Sequence, residues 1–466
     1  MLLSPSDPWS FRCVEDGCLA VDAAGRLMAA GDFADVSSRH PSAPVTDWRP
    51  AVILPGLVDL HSHVPQYSAV AMDGYDLLPW LERFIFPAEA AFADTQRARA
   101  EATRFFIDAL ANGTTMASLY VTVHEGATRA AFEAAEEAGV RAVIGKVMMD
   151  RNAPPELLER TQDSLEASER LCREWHGAAG GRLRYAFSPR FAVTCSAELM
   201  RAAGECARAH DALIQTHLAE NQDEVRLVAQ LFPGAGSYTE VYGEAGLLGP
   251  RTIVAHCIHL SGQEWDLLAA TETRIAHCPG SNFFLRSGIM DMAMADARGI
   301  TVGLGSDVGA GPSLSMLREM ENACFASKAR SALGEVAQSR LGEFRDEFAR
   351  LPEGLGLYQR LLDRLGLAGP VRVVTPAQAL YMATLGGARA LGVGDETGSL
   401  EPGKWADFVV IDLRAVDPAF GETARTPEEV LSQIVFRADS RAVVATCVGG
   451  RARYGVRAGS GRGGAG

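Results

Sequence analysis

Along most of this chain, short apolar runs alternate with longer stretches in which alanine and leucine recur among glutamate and arginine. The first rhythm is that of buried strands, the second that of amphipathic helices. Eight runs carry it, at 53–63, 115–123, 142–149, 183–191, 212–220, 252–260, 274–282 and 301–308. The pattern between them predicts helices over 95–112 (closed by Gly113), 128–138 (closed by Gly139), 196–210 and 221–232. Eight strand–helix units over about 250 residues or more make a (β/α)8 TIM-like barrel. A doubly wound open sheet would carry a glycine-rich phosphate turn after its first strand, and histidines stand there instead.

The ends read differently. Cys18-Leu-Ala-Val-Asp22 and Leu27-Met-Ala-Ala30 are short strand-like pieces broken by Gly and Asp. After Leu391 comes a turn-rich link, then strand-like residues at 408–412 and 442–448. These are expected to pair with the N-terminal strands in one small β-sandwich domain formed by both ends of the chain. The expected division is 1–54, the barrel at 55–397, 398–456, and a flexible tail at 457–466. Between Ser327 and Val374 the chain is longer than a connection needs. Val336, Leu341, Phe344, Phe348 and Leu351 recur there at helical spacing, which predicts an extra helix: a cap beside the mouth, a dimer contact or a surface addition.

Composition narrows the function. With 466 residues, 47% of them hydrophobic, the chain can build a large core and a small partner domain. The net charge of -14 opposes a nucleic-acid groove. No run approaches the roughly 18 apolar residues of a membrane span, and residues 1–11 lack the basic start and apolar middle of a signal peptide. The nine cysteines are scattered, with no C-x-x-C, so the expected setting is the reducing cytoplasm.

Candidate chemistry gathers at the carboxyl ends of the predicted strands, where such barrels place their active sites. Strand one ends in His61 and His63, strand five in His217 with Glu220 three residues on, strand six in His256, and strand eight in Asp307. Three imidazoles and one carboxylate suit Zn²⁺ or Fe²⁺ and leave a position for water. His40, His176 and His210 read as solvated. His259 and His277 read as packing or outer-layer groups, His124 as a strand-end residue with no role at the mouth, and Lys146 as structural.

These residues resemble the amidohydrolase superfamily and, within it, the guanine deaminase family, over nearly the whole chain. The wider marks are Pro55-Gly-Leu-Val-Asp-Leu-His-Ser-His63, His217, His256, Ser306-Asp307 and Gly398-Ser-Leu-Glu-Pro-Gly-Lys-Trp-Ala-Asp407. The narrower ones are Gln66-Tyr67, Phe86-Pro-Ala-Glu89, Ser188-Pro-Arg-Phe191, His217-Leu-Ala-Glu-Asn221, His277-Cys-Pro-Gly-Ser-Asn282 and Gly305-Ser-Asp-Val-Gly-Ala-Gly311. The resemblance implies zinc at His61, His63, His217 and Asp307, guanine contacts at Gln66, Arg190 and Phe191, and a homodimer. Trp80 is added as a second wall of the base site. Two-metal relatives bridge their ions with a lysine at the end of strand four. That strand here ends Phe187-Ser-Pro-Arg-Phe191, so one ion per chain is expected. The H-x-E and P-C-x-x-C signature of the other deaminase design is absent.

The implied reaction is hydrolytic deamination of guanine to xanthine. Glu220 would carry a proton from water to a ring nitrogen, His256 would hold the attacking oxygen, and Asp307 would accept the second proton. The alternatives are action on another aminated or halogenated heterocycle (an oxidised purine, a pterin or a triazine), or a metal-free scaffold.

Overall fold

The computed structural model describes residues 1–343, 345–358, 372–420 and 424–455. Eight parallel strands follow one another around a sheet: β1 (Leu57–His63), β2 (Thr114–Tyr120), β3 (Arg141–Gly145), β4 (Leu183–Pro189), β5 (Leu213–Leu218), β6 (Thr252–His256), β7 (Arg274–His277) and β8 (Val302–Leu304). Backbone bonds from Asp307 N to His61 O (2.8 Å) and from His63 N to Val308 O (3.2 Å) join the segment after β8 to β1. The sheet therefore closes as the expected barrel. Val58, Leu60, Met116, Leu213, Ile253 and Ala276 fill its interior, and a larger apolar layer packs strands against helices.

The predicted helices stop where their end chemistry dictates. Thr95–Ala111 starts behind Asp94, whose carboxylate accepts from the Gln96 and Arg97 N–H groups. Glu125–Ala138 ends on Gly139 at φ +72°. Gln222–Leu231 opens with a capping box between Asn221 and Glu224.

Two predicted runs divide differently. The stretch read as one strand over 53–63 is two, Val52–Pro55 and β1, with Gly56 as the seam. A Cβ at Gly56 would lie 2.1 Å from Thr115 Oγ1, so only glycine fits there. The stretch 274–282 is a four-residue strand followed by the helix Pro279–Phe284. Its proline sits in the first helical turn, where the missing N–H leaves no bond unmade.

A second sheet joins both ends of the chain, in the order Arg451–Gly455, Val443–Val448, Phe408–Ile411, Val52–Pro55, Leu2–Asp7, Ser10–Val14. The predicted strands near 18–22 and 27–30 form the hairpin Gly17–Val21/Leu27–Asp32, and they pair with each other instead of with the C-terminal strands. Leu27 packs that hairpin onto Leu2, Ala406 and Phe408. The ends meet through Leu2–Asp7 and Val52–Pro55, the first of which the pattern does not reveal.

The extra segment continues a long helix, Met316–Glu343, followed by Arg345–Ala349. Val336 and Leu351 are exposed there, at 51% and 54%. Phe344, residues 359–371 and the expected tail at 457–466 lie outside the described residues. Among the described residues, no helix is long and apolar enough to cross a membrane.

Candidate metal centre

An irregularity in β1 aims its histidines. Asp59 stands opposite Ala117 and Ser62 opposite Leu119, so β1 carries one residue more than its partner over this stretch. Strict alternation from the interior-facing Val58 and Leu60 would point His61 outward. The extra residue shifts the alternation, and His61 and His63 face the mouth together. Asp59 pins the bulge, accepting from Ser306 Oγ (2.5 Å), Ser306 N (2.8 Å) and His61 N (3.3 Å). At the opposite strand ends, His256 (φ +72°) and Asp307 (φ +45°) occupy left-handed backbone that non-glycine residues rarely adopt. Closure of the chain over the barrel end holds them there.

Four donor groups converge. His63 Nε2 lies 3.3 Å from His61 Nε2 and 3.2 Å from His217 Nε2. Asp307 Oδ1 lies 3.3 Å from His61 Nε2 and 3.4 Å from His63 Nε2. These buried groups could hold a metal ion, as could His61, His256 and Asp307 together. Burial lowers the pKa of His61, His63 and His217, leaving neutral imidazoles. Burial alone would raise the Asp307 carboxyl, yet the His61 and Ser281 hydrogen bonds and the neighbouring His256 hold it down to about 2. Outer contacts fix the orientations. His217 Nδ1 donates to the Arg190 carbonyl (2.7 Å), leaving Nε2 as the ligating atom. Ser281 Oγ donates to Asp307 Oδ2 (2.6 Å), and Tyr120 stacks on His63 at 4.7 Å.

Beside this set lie two proton-handling groups. Glu220 Oε1 accepts from Ser287 Oγ (3.2 Å), and burial pushes its carboxyl up to about 7. His256 Nδ1 pairs with Asn282 Oδ1 at 3.0 Å, while its Nε2 is buried without a hydrogen-bond partner. Burial works against charge on His256, but the carboxylates of Glu220 and Asp307 outweigh it and raise the imidazole.

The pocket above is a cleft open to solvent, with His63, Gln66, Trp80, Arg190, Phe191, His217, Glu220 and Asp307 in its walls. Leu77, Leu81, Leu285 and Ala310 complete it. The fork of Arg190 is only half available: Nη1 contacts both oxygens of Glu89 at 2.6 Å. Trp80 is buried and donates Nε1–H to the Met72 carbonyl at 2.8 Å. His256 reaches the metal cluster without forming part of the pocket wall.

Several supports escaped the sequence reading. Glu89, Ser281, Asn282 and Ser287 were visible only as motif letters or not at all. The hydroxyl of Tyr242, which donates to the His217 carbonyl (2.6 Å), left no signal. His176 and His210 are partnered instead of solvated, by Tyr185 N (3.2 Å) and Glu169 (3.2 Å). His259 Nε2 donates to the Ser287 carbonyl (2.8 Å), and His277 is buried with neither ring nitrogen hydrogen-bonded. His124 precedes the helix Glu125–Ala138 without a side-chain capping bond, and Lys146 is paired with Glu159 at 2.6 Å.

The Amidohydrolase family matches residues 52–343 and 351–453. Guanine deaminase of Escherichia coli (strain K12) is 35% identical over 96% of this chain and 92% of its own. The structure of guanine deaminase from C. acetobutylicum, with guanine bound in its active site, superposes with a TM-score of 0.84 at 29% identity, covering 97% and 98% of the two chains. An adenosine deaminase from Xanthomonas campestris with bound zinc gives 0.78 at 26% identity over 98% and 93%. A shared barrel and similarity running nearly end to end leave one assignment: this chain belongs to the amidohydrolase family, among its guanine deaminases.

Proposed function

We propose that this chain is a zinc-dependent aminohydrolase that turns guanine and water into xanthine and ammonia. One observation carries the reading. The His63, His217 and Asp307 donors, the carboxyl of Glu220, and the polar groups of Gln66 and Arg190 share a single pocket, and His61 completes the donor cluster at its floor. Metal chemistry and recognition of a planar heterocycle therefore meet in one place. The likeness to guanine deaminases, one of them with guanine in its active site, names the heterocycle.

The donor set fits the ion. Neighbouring ligand atoms stand 3.2–3.4 Å apart, near enough for one ion to reach them all with bonds of about 2.0–2.2 Å. His61, His63, His217 and Asp307 would hold it. When bound, it supplies a polarised water whose pKa falls toward about 7. Glu220, itself poised near neutrality, would take a proton from the attacking water and give it to the ring nitrogen beside the carbon bearing the amine. His256 hydrogen-bonds the attacking oxygen through Nε2 and steadies the tetrahedral adduct on the purine. Asp307 accepts the remaining hydroxyl proton as ammonia leaves. Gln66 and Arg190 bind the lactam edge of the base, and Phe191 and Trp80 wall its faces.

The reading extends to one zinc per chain, a homodimer and a cytoplasmic setting, the last supported by nine cysteines that are all free thiols. Ammonia release measured across guanine, 8-oxoguanine, a pterin, an aminotriazine and adenine tests it. Guanine is expected to lead by kcat/KM, and a rank far below another base would overturn the assignment.

A further inference from the structure

Glu89 lies behind the recognition side of the pocket, fully buried and outside the pocket wall. It ends the short helix Phe86–Ala90 together with Ala90, and its carboxylate takes two partners that do line the pocket. Arg190 Nη1 contacts both of its oxygens at 2.6 Å, and Gln66 Nε2 donates to Oε1 at 3.2 Å. The Phe86 ring lies 5.5 Å from the same guanidinium.

A primary amide has two faces, a donor and an acceptor, and nothing in its shape decides which one a ligand meets. A carboxylate decides it. Because it offers only acceptors, Gln66 must turn its NH2 group toward Glu89 and leave Oε1 for the pocket. The same carboxylate occupies one terminal nitrogen of Arg190 and leaves Nη2 and Nε as the donors available to a ligand. The pocket edge is thereby given a fixed polarity: a hydrogen-bond acceptor from Gln66 next to donors from Arg190. Its complement is a ring N–H adjacent to a carbonyl, the lactam edge of guanine. An aminopyrimidine edge, with a bare ring nitrogen beside an exocyclic amine, presents the opposite order and would leave buried polar groups unpaired.

We propose that Glu89 is the positioning residue that writes this polarity, selecting lactam purines by fixing the Gln66 amide and the Arg190 guanidinium. The proposal rests on the aminohydrolase reading above and adds the source of its base selectivity.

The test compares guanine with 2-aminopurine, which carries the same amine on the same carbon but lacks the ring carbonyl and the adjacent N–H. In Glu89→Gln the Gln66 amide is free to turn over. The kcat/KM for guanine is then expected to fall about a hundredfold or more, mostly through KM, while that for 2-aminopurine changes by no more than a few fold. Zinc content stays at the wild-type level. Glu89→Asp keeps a charge opposite Arg190 and so protects the fold; the guanine to 2-aminopurine ratio is expected to fall there too, by less. Equal losses on both substrates in the folded variants, or an unchanged ratio, would overturn the role of Glu89 while leaving guanine deamination intact. A wild-type protein that releases no ammonia from guanine, or prefers 2-aminopurine, would instead overturn the functional reading itself.

Discussion

Glu220 Oε2 stands 3.6 Å from His256 Nε2, and both side chains are buried beside the metal ligands. Each alters the other. The carboxylate favours a charged imidazole, and the imidazole partly offsets the burial that drives the carboxyl up to about 7. A carboxyl poised near neutrality can take up and release a proton at little cost, which is what a shuttle between water and a ring nitrogen requires. Glu220→Gln preserves the shape and the Ser287 contact but removes the titrating group. Its kcat is expected to fall about 10²- to 10⁴-fold, with zinc retained at the wild-type stoichiometry by elemental analysis. Loss of the metal together with the activity would mean that Glu220 is a ligand instead.

His217 is held by more than the ion it would bind. Its Nδ1 is tied to the Arg190 carbonyl and its own carbonyl to Tyr242. His217→Ala is expected to leave the barrel folded, with zinc after gel filtration far below one per chain and no detectable ammonia release. Ser281→Ala removes only the hydroxyl bound to Asp307. It is expected to keep the ion but weaken its affinity about 10- to 100-fold, read by competition with a chelator. Equal metal loss in the two variants would show that Ser281 does more than orient.

Much of this centre was legible in the sequence because strand ends are where such a barrel gathers its chemistry, so His61, His217, His256 and Asp307 could be placed together before any contact was known. The orientation of His61 was not. Alternation along an unbroken strand carries His61 and His63 to one face, but which face depends on the extra residue between Asp59 and Ser62, and that bulge is set by pairing with β2. Gly56 hid its meaning for the same reason, since the contact that demands glycine comes from Thr115, fifty-nine residues later. The strand Leu2–Asp7 was missed because Pro5, Ser4 and Ser6 weaken its local pattern, and partners on both sides make it a strand. Glu89 was seen as a motif letter, but its role needed Gln66 and Arg190 in space.

The Glu89–Arg190 pair also has a structural consequence. Both members are buried, at 0% and 3% exposure. Removing one leaves the other charge without its partner in a water-poor site, a loss of about 3–5 kcal/mol. Arg190→Ala is therefore expected to lower the stability read by urea unfolding as well as to raise KM for guanine. Adding Glu89→Gln to that variant removes the stranded carboxylate, so the double variant is expected to recover part of the stability and none of the affinity. A double variant less stable than Arg190→Ala would show that the Glu89 carboxylate is held mainly by its bond from Gln66.

Glu319 gives a pH dependence whose sign can be derived. It reaches from the long helix Met316–Glu343 to the start of Pro279–Phe284, accepting from Gly280 N (2.9 Å) and Asn322 Nδ2 (3.0 Å). Burial raises its carboxyl from 4.5 to about 8, because those two donors do not replace the water it has lost. Between these values the folded chain keeps a proton that the unfolded chain has released. Stability must then fall as pH rises from about 4.5 to about 8, by at most about 1.4 kcal/mol per pH unit from this group. Asp59 and Glu220, each raised to about 7 by burial, act in the same direction, so the contribution of Glu319 is read as a difference. Glu319→Gln keeps an acceptor for Gly280 N and cannot ionise. Urea unfolding of the metal-free protein is expected to show the variant gaining on the wild type steadily from pH 5 to pH 8, and nearly matching it at pH 5. A constant difference across that range would mean that Glu319 is ionised throughout and that the two donors suffice to hold its charge.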